Sequence, residues 1–356
     1  MYSPPSHRNP LYPTIAYDVC VFGAGPAGTA VAISLAAKGV STVLLERPLQ
    51  TKPWGGESFT SAIRTPLQAL GCWEQFERAG HRCVYERQSA WGSEPHVESS
   101  LFRMDGPTWH VDREKFDEDL RLAALARGIP LISYRGLNSV THESDSWLLA
   151  LDEEIRIQAR YLVDATGRSR ALARRLHAKI EFHDDLIGLC CAVPLQENRP
   201  DVRSMMLETT SFGWWYAAPT PNGHVLAILT DSDLAPADLR RRLRPVAANS
   251  AFTYVSSLEG WLSVGDACAS HDPLCGWGVH RALTNGILAA DAIVAFLAGG
   301  ETTQLKDYRD HCHRQYSRYL EGLTAHYSLE RRWSTSTFWQ RRHRPVSLAS
   351  GQPAHD

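Results

Sequence analysis

A glycine-rich segment between two short apolar runs is the sequence feature that most restricts how this chain can fold. Residues 17–22 have the composition of a buried strand, and Gly23, Gly25 and Gly28 follow them in the spacing G-x-G-x-x-G. Small residues and leucines at helical spacing come next, before a second apolar run at 43–45. This order predicts a β-α-β unit, which belongs to a parallel sheet with helices packed against it.

The same unit predicts where a dinucleotide binds. The first glycine allows a tight turn after the strand, the second lets backbone N–H groups approach a diphosphate, and the third lets the helix pack close to the sheet. A carboxylate at the end of the second strand can accept hydrogen bonds from ribose hydroxyls. A glycine turn that only packs a strand against a helix is the alternative. The predicted binding residues of this unit are Gly23, Gly25, Ala27, Gly28, Glu46 and Arg47.

The chain length and the position of its β-rich part predict the overall organisation. With 356 residues the chain has room for two domains, or for one domain with a lobe. Residues 178–260 are β-rich and separate two stretches that both have α/β character. We therefore predict an α/β fold with an inserted β-sheet lobe and a helical C-terminus. The predicted parts are a flexible lead (1–15), a Rossmann-type dinucleotide-binding domain (16–80, 111–177 and 261–300), a substrate lobe (81–110 and 178–260), a helical segment (301–344) and a disordered tail (345–356).

Hydrophobic periodicity predicts individual elements within this organisation. Apolar residues on one face predict a helix over 112–127, and a second helix is predicted from about Ala282. Asn222 and Gly223 have the composition of a two-residue hairpin turn. Predicted strands cover 129–134, 147–151, 156–158, 161–164, 187–193, 205–208, 213–219 and 224–229.

The charge balance and the apolar runs exclude several classes of partner. Lys and Arg total 37 and Asp and Glu total 39, so the net charge of −2 gives no general attraction to nucleic acid or to an anionic membrane. Residues 1–14 lack the apolar run of a signal peptide. The most apolar later stretch, 286–297, contains Asp291 and is too short to span a bilayer. We predict a soluble, cytoplasmic protein.

The cysteines predict free thiols rather than disulfides or a metal site. The chain has eight cysteines and no C-x-x-C pair, which is typical of a protein in a reducing compartment. His311, Cys312 and His313 are adjacent, but no distant pair of ligands accompanies them, so we predict no metal.

Two further motifs extend the glycine-rich unit into a family resemblance. They are Gly265-Asp266-Ala267 with the stretch 272–279, and the run Val163-Asp164-Ala165-Thr166-Gly167-Arg168. Together the three motifs resemble the FAD-dependent aromatic hydroxylases, halogenases and related oxidoreductases over about residues 17–300. The resemblance implies FAD rather than NAD, and an aromatic-hydroxylase-like architecture. It implies that Asp266 binds the ribityl or ribose region and that the following stretch passes under the isoalloxazine ring. The residues placed there by the resemblance are Pro273, Gly276, Gly278 and Val279. A loop with a capping aspartate is the alternative.

Other segments are similar to a narrower group. Gly56-Glu57-Ser58 resembles a stretch of the flavin halogenases and their non-halogenating relatives, and 109–113 and 327–342 also fit. Together they look like the flavoproteins that mature quinone cofactors in lysine and glycine oxidases. The resemblance implies that Glu57, Ser58 and Arg113 lie on or near FAD. It also implies a substrate: a tryptophan within a precursor protein or peptide, whose hydroxylation begins tryptophylquinone formation.

Three departures argue against a halogenase. Halogenases of this kind use a lysine after the glycine-glutamate stretch, but no lysine occurs between Lys52 and Lys115. Their W-x-W-x-I-P motif is altered at 214–219, and their acidic residue after the glycine-aspartate motif aligns with Cys275. We therefore expect oxygen insertion into an electron-rich aromatic ring. Flavin-dependent halogenation, reduction of a C=C bond, and a flavin-containing binding or chaperone protein are the alternatives.

The sequence leaves the catalytic side chains and the electron donor open. His110 and His280 are candidates because an imidazole can take up a proton near neutral pH, and a structural role is the alternative for each. The chain has one dinucleotide fingerprint, so electrons are expected from NAD(P)H that docks transiently or from a separate flavin reductase. The expected substrate is an aromatic small molecule or a precursor protein or peptide.

Overall fold

A computed structural model describes residues 13–48, 57–99, 106–152, 154–194, 204–220, 223–255, 258 and 260–344. The predicted tail, and Asn222 of the predicted turn, lie outside these residues. The helices are α1 (Pro26–Ala36), α2 (Arg64–Ala69), α3 (Trp73–Arg78), α4 (Arg113–Leu125), α5 (Ala171–Arg175), α6 (Ala237–Arg242), α7 (Gly278–Gly299), α8 (Thr303–Tyr327) and α9 (Thr337–Arg342). The strands are β1 (Thr14–Phe22), β2 (Thr42–Glu46), β3 (Glu57–Phe59), β4 (Arg82–Val84), β5 (Glu86–Ala90), β6 (His96–Ser99), β7 (Thr108–Val111), β8 (Leu131–Ser133), β9 (Leu137–Glu143), β10 (Ser146–Leu151), β11 (Ile155–Asp164), β12 (Lys179–Phe182), β13 (Leu186–Pro194), β14 (Met205–Thr210), β15 (Gly213–Thr220), β16 (Gly223–Asp231), β17 (Arg244–Ala247), β18 (Ala251–Tyr254), β19 (Trp261–Ser263) and β20 (Ala269–Ser270).

The N-terminal strands belong to a largely parallel sheet of seven strands among the described residues. Its strand order is β8-β2-β1-β11, and β19 pairs with the other side of β11, all in parallel. Val19, Cys20 and Val21 of β1 are fully buried, as expected for a strand covered on both faces. β10 and β9 extend the sheet in antiparallel order. The Rossmann-type α/β fold predicted from the sequence is confirmed.

The strand β11 is longer than the sequence pattern predicts. The pattern predicts two strands, 156–158 and 161–164, but one continuous strand covers both. Alternate residues Ile157, Ala159 and Tyr161 are fully buried, while the side chains between them are exposed. This alternation continues through the apparent gap, so the period-two pattern, rather than the charge of Arg160, determines the element. β1 similarly begins at Thr14, inside the predicted lead, because it pairs with Arg156 of β11.

The helix α7 covers the parallel sheet together with α1. It begins at Gly278, earlier than the predicted start near Ala282, because Val279 is already buried in the core cluster. A β-carbon on Gly286 would lie 2.9 Å from the carbonyl oxygen of Ala27, so this glycine lets the two helices approach closely. By length and composition alone α7 could cross a membrane. Its buried face packs in the core of the protein, which accounts for its apolar character.

The helix predicted over 112–127 is observed as α4, and its N-cap and its apolar face explain why it forms. The Asp112 side chain accepts a hydrogen bond from the backbone N–H of Lys115 and so caps the first turn. Phe116, Leu120 and Ala124 lie on one buried face, as the apolar spacing predicted.

The lobe is built on a second large sheet, whose strands come mostly from the segment between β12 and β19 and include β5 and β6 from earlier in the chain. Its order is β17-β13-β16-β15-β14-β5-β6, antiparallel except for the β14–β5 pair. β15 and β16 form the predicted antiparallel pair, but Gly223, predicted to lie in the turn, is the first residue of β16 and pairs with Thr220. Two small sheets, β3-β7-β4 and β12-β18-β20, lie outside the two large ones.

The C-terminal helices pack against this lobe through aromatic side chains. Five buried aromatic residues form what we call the aromatic cluster, which joins β15, α8 and α9. Ring centroids within it are 5.2–6.2 Å apart, mostly edge to face. The predicted helical C-terminus is therefore part of the folded unit. The cluster consists of Trp91, Trp214, Tyr327, Phe338 and Trp339.

Candidate functional site

The turn between β1 and α1 leaves an open space at one glycine. Gly23 has a φ of +107°, and a β-carbon there would overlap the carbonyl oxygen of Ala165. A β-carbon on Gly28 would overlap the carbonyl oxygen of Gly23. Around Gly25, by contrast, no described atom lies within 4 Å of the β-carbon position. Two glycines therefore serve close packing, and the third faces a space that a ligand can fill.

That space lies at the N-terminus of α1. Gly25 is the N-cap residue, Pro26 occupies the first turn, and no side chain of the described residues caps this end. Unpaired backbone N–H groups and the positive end of the helix dipole bind anions. The turn therefore suits the diphosphate predicted from the sequence.

Glu46, the acidic residue at the end of β2, is partly accessible but already interacts with an arginine. Glu46 is half-buried, and Nη1 of Arg121 lies 3.4 Å from its Oε1. A ribose hydroxyl would share this carboxylate with Arg121. Arg47 is exposed beside it. Ala27 is buried, and a β-carbon on Gly265 would lie 2.7 Å from its methyl group, so Ala27 joins the first motif to the second by packing.

Asp266 forms an ion pair with Arg168, which is not among the predicted binding residues. The distance from Nε of Arg168 to Oδ2 of Asp266 is 3.3 Å. The same guanidinium donates hydrogen bonds to the carbonyl oxygens of Asn249 and His271, both at 2.6 Å. Arg168 thus fixes the orientation of the acid that the resemblance places at FAD. The sequence does contain a signal for it, because Arg168 ends the third motif.

A short loop leads from Asp272 into α7, and we call residues 273–278 the flavin loop because the resemblance implies that the flavin ring lies beside them. Gly276 has a φ of +63°, and no described atom lies within 4 Å of a β-carbon at Gly276 or Gly278. Pro273 is exposed, whereas Val279 is buried in the core below the loop. No described side chain caps the N-terminus of α7. The backbone at Gly276 and Gly278 is therefore open at the N-terminus of α7, beside the exposed side chain of Trp277.

The small sheet β3-β7-β4 brings Ser58 and His110 together. Oγ of Ser58 lies 2.7 Å from Nδ1 of His110 and 3.9 Å from the sulfur of Met205 in β14. Glu57 pairs through its backbone with Val111. Arg113 begins α4, where its Nε donates to Asp117 at 2.7 Å. This sheet therefore meets the lobe at Ser58.

His110 is buried and stays neutral at physiological pH. It is 1% exposed, and its Nε2 has no hydrogen-bond partner among the described residues. Burial first, and the Arg82 guanidinium second, lower the pKa of His110 to about 4. His280 lies elsewhere, in the first turn of α7, with its ring centroid 4.8 Å from that of Trp277. Burial and Arg281 also lower the pKa of His280.

We expect the lowered pKa of His110 to be visible in its titration and in the stability of the fold. An unfolded histidine titrates near about pH 6.5, so His110 stabilises the fold fully above that pH and loses this contribution as the pH falls toward about 4. NMR titration of the His110 ring should give a midpoint close to 4. A midpoint near that of an exposed histidine would contradict the buried placement.

A cavity of about 360 Å³ lies between the lobe and the C-terminal helices. It has both acidic and basic walls, and Asp272, at the start of the flavin loop, forms part of it. The lining residues are His183, Asp184, Asp185, Asp231, Asp272, Leu320, Leu323, Thr324, Tyr327, Arg341, Arg342 and Arg344.

The open positions at Gly25, Gly276 and Gly278 leave room for a ligand at the N-termini of α1 and α7. The first motif offers a helix N-terminus for a diphosphate, and the flavin loop offers a second one beside it. Packing between Gly265 and Ala27 joins the two. The residues present therefore fit FAD. Bound FAD would be held by the first motif at its diphosphate and by Asp266 and the flavin loop further along.

Comparisons with known proteins agree with this geometry. Residues 16–233, more than half of the chain, match the FAD binding domain family. LodB of Marinomonas mediterranea, described as an FAD-dependent oxidoreductase, is 28% identical over 367 residues, which span 92% of this chain and 97% of LodB. The 1H-pyrrole-2-carbonyl peptidyl-carrier-protein brominase of Pseudoalteromonas luteoviolacea is 26% identical over 341 residues, 83% of this chain and 82% of the brominase.

A solved structure shares the whole architecture. That of QhpG, a peptidyl tryptophan dihydroxylase essential for tryptophylquinone cofactor biogenesis, superposes with a TM-score of 0.77. The match covers 94% of this chain and 80% of QhpG at 19% identity, which shows a common fold. The resemblance to the aromatic hydroxylases and halogenases is confirmed. The chain therefore belongs to the FAD binding domain family, and it is an FAD-dependent oxidoreductase.

Proposed function

We propose that this enzyme hydroxylates an indole-like aromatic ring, and that the ring is a tryptophan side chain of a precursor protein or peptide. The similarity to LodB over nearly the full length of both chains, and the fold shared with a peptidyl tryptophan dihydroxylase, support this substrate class. In the proposed organisation FAD is bound by residues 16–80, 111–177 and 261–300, and the substrate by 81–110 and 178–260.

The position of the lysines is the observation that favours hydroxylation over halogenation. The flavin halogenases that this chain resembles use a lysine at the reaction site. All four lysines among the described residues are exposed, and two of them form surface ion pairs. Arginine does not replace such a lysine, because its guanidinium is not readily deprotonated. The described lysines are Lys38, Lys115, Lys179 and Lys306.

The residue that aligns with the acidic residue of the halogenases supports the same proposal. In this chain it is Cys275, and burial raises the pKa of its thiol. A neutral thiol supplies neither the charge nor the proton exchange of a carboxylate.

When bound, FAD supplies the electrons and activates O₂ for transfer of one oxygen atom to the ring. The chain itself positions the ring and excludes water. Nδ1 of His110 lies 2.7 Å from Oγ of the half-buried Ser58, while His110 itself is only 1% exposed. We therefore propose that His110 acts on the substrate through Ser58 and not by direct contact. His280, beside Trp277 at the start of α7, is the second proposed site residue. Electrons are proposed to come from NAD(P)H or a separate flavin reductase.

Halogenation is the second candidate. The peptidyl-carrier-protein brominase matches over most of both chains, so a halide-dependent reaction on an aromatic substrate has support from sequence similarity.

Intact-mass measurement of the substrate separates these functions. We expect a protein encoded beside this gene to gain the mass of one or two oxygen atoms on a tryptophan when it is co-expressed with this chain, with bromide and chloride present. Gly25→Val is the matched control without cofactor, and His110→Phe should lower the yield while FAD content stays normal. A halogen-sized gain would overturn the proposed hydroxylation, and turnover of a small aromatic alone would overturn the peptide substrate.

A further inference from the structure

A buried carboxylic acid stands at the beginning of the flavin loop. Asp272 is 1% exposed, and its Oδ1 accepts a hydrogen bond of 2.9 Å from the backbone N–H of Leu274 within the loop. Its own backbone N–H donates to the hydroxyl of Tyr319 at 2.7 Å. Asp272 therefore forms one hydrogen bond within the flavin loop and another that connects the loop to the helix α8.

The second carboxylate oxygen ends a hydrogen-bond chain that runs in one direction. Nε1 of Trp214 donates to the hydroxyl oxygen of Tyr327 at 3.0 Å, and an indole N–H can only donate. The hydroxyl proton of Tyr327 is thereby directed to Oδ2 of Asp272, at 2.7 Å. Both oxygens of Asp272 thus accept hydrogen bonds, which is the arrangement of an ionised carboxylate.

We propose that Asp272 is a positioning residue for FAD. Its ionised carboxylate, fixed by the chain from Trp214 through Tyr327, holds the flavin loop in the conformation that receives the isoalloxazine ring. The proposal rests on the FAD assignment and not on hydroxylation, so it holds for any aromatic substrate. Asp272 acts through the backbone of the loop, since its side chain faces the C-terminal helices and the cavity.

The surroundings of Asp272 make its charge sensitive to pH. Burial first, and the Asp184 carboxylate second, raise its pKa to about 6, although Leu274, Tyr327 and Arg342 favour the ionised form. Titratable or charged groups lie around it on its own loop, α7, α8, α9 and the residues just after it, β16 and the segment before β13. They are His183, Asp184, Asp185, Asp231, His271, Cys275, Arg281, Tyr319, Tyr327, Arg341, Arg342 and Arg344.

The sign of the pH effect differs for stability and for FAD binding. A carboxyl whose pKa is raised on folding stabilises the fold at low pH, and this contribution is lost as the pH rises through about 6. The ionised carboxylate thus remains in the folded protein at a cost in stability. FAD binding, which needs the loop held in place, should instead strengthen as the pH rises through the same range.

The test measures the FAD dissociation constant of the apoprotein by flavin fluorescence between about pH 5 and about pH 7.5. We expect the wild-type affinity to fall roughly tenfold toward the acidic end, the size of a shift of one pKa unit. Asp272→Asn should bind weakly at both ends, with a nearly flat profile. Tyr327→Phe should move the midpoint to higher pH, because the carboxylate loses a donor that favours its ionised form.

A matched control comes from the same cavity. Asp185 is an exposed acid on its wall, so Asp185→Asn should keep the wild-type profile. The histidines nearby are unchanged in every variant, and circular dichroism confirms that each variant is folded. If Asp272→Asn keeps the wild-type pH profile, or Tyr327→Phe leaves the midpoint in place, Asp272 does not position the flavin. Either result leaves the proposed hydroxylation untouched, because no substrate is present.

Discussion

Gly25→Val protein is expected to fold normally and to be purified without FAD. The backbone of Gly25 is extended, with a φ of −81°, so valine can adopt it. No described atom outside the neighbouring residues lies within 4 Å of the β-carbon position, and we propose that the diphosphate approaches the N-terminus of α1 through that space. Each charge-assisted hydrogen bond lost there costs about 1.5–3 kcal/mol, which weakens binding roughly 10- to 100-fold per bond. The measurements are flavin absorbance per polypeptide and the FAD dissociation constant.

The control for this change is the same substitution at another open glycine. Gly322 is exposed within α8 and also has no described atom within 4 Å of its β-carbon position. Valine costs no more than glycine in a helix, so Gly322→Val should keep both the fold and the flavin. A Gly25→Val protein that is as yellow as the wild type would show that the diphosphate lies elsewhere.

Trp339→Ala should destabilise the fold strongly, because it empties the centre of the aromatic cluster. Trp339 is fully buried there, and its Nε1 donates to the carbonyl oxygen of Thr210 at 2.8 Å. Truncation of a buried tryptophan costs about 3–5 kcal/mol, because it removes apolar contacts and leaves a cavity. We expect that decrease in the free energy of unfolding of the apoprotein, measured by chemical denaturation.

A graded variant separates the ring from the hydrogen bond. Trp339→Phe keeps a ring in the cluster but leaves the carbonyl of Thr210 without its donor, so a loss of about 1–2 kcal/mol is expected. Should Trp339→Ala unfold with nearly the wild-type free energy, the C-terminal helices would not be a cohesive part of the fold. Such a result would also remove the basis for assigning Tyr327 to the environment of the flavin loop.

The parts of the fold that could be predicted from the sequence depend on local signals. The β-α-β unit at Gly23 carries its strand, turn and helix within a few dozen residues, and the structure confirms it. The helix α4 likewise follows from its cap at Asp112 and its apolar face. The predicted start of α7 is too late, because the glycines before it suggest a loop, while the burial of Val279 depends on tertiary packing.

The parts of the site that could not be predicted depend on pairs that are distant in the sequence. Arg168 pairs with Asp266 across a long interval of chain. Asp272 accepts a hydrogen bond from the distant Tyr327, which in turn accepts one from Trp214. No spacing rule indicates that a tyrosine near the C-terminus will donate to an acid beside the flavin loop. The open space at Gly25, in contrast, follows from the fingerprint itself, because the second glycine of that pattern has a known role.

The interleaving of the parallel sheet has a consequence for biosynthesis. Adjacent strands β1, β11 and β19 come from the beginning, the middle and the last third of the chain. On the ribosome, the glycine-rich turn after β1 emerges long before the Asp266 segment, although Gly265 of that segment packs against Ala27 just after the turn. Because the proposed FAD site includes residues 261–300, and because long-range pairings of this kind form slowly, we expect cofactor loading only after translation has passed α7. Nascent chains stalled before that point should therefore capture no flavin.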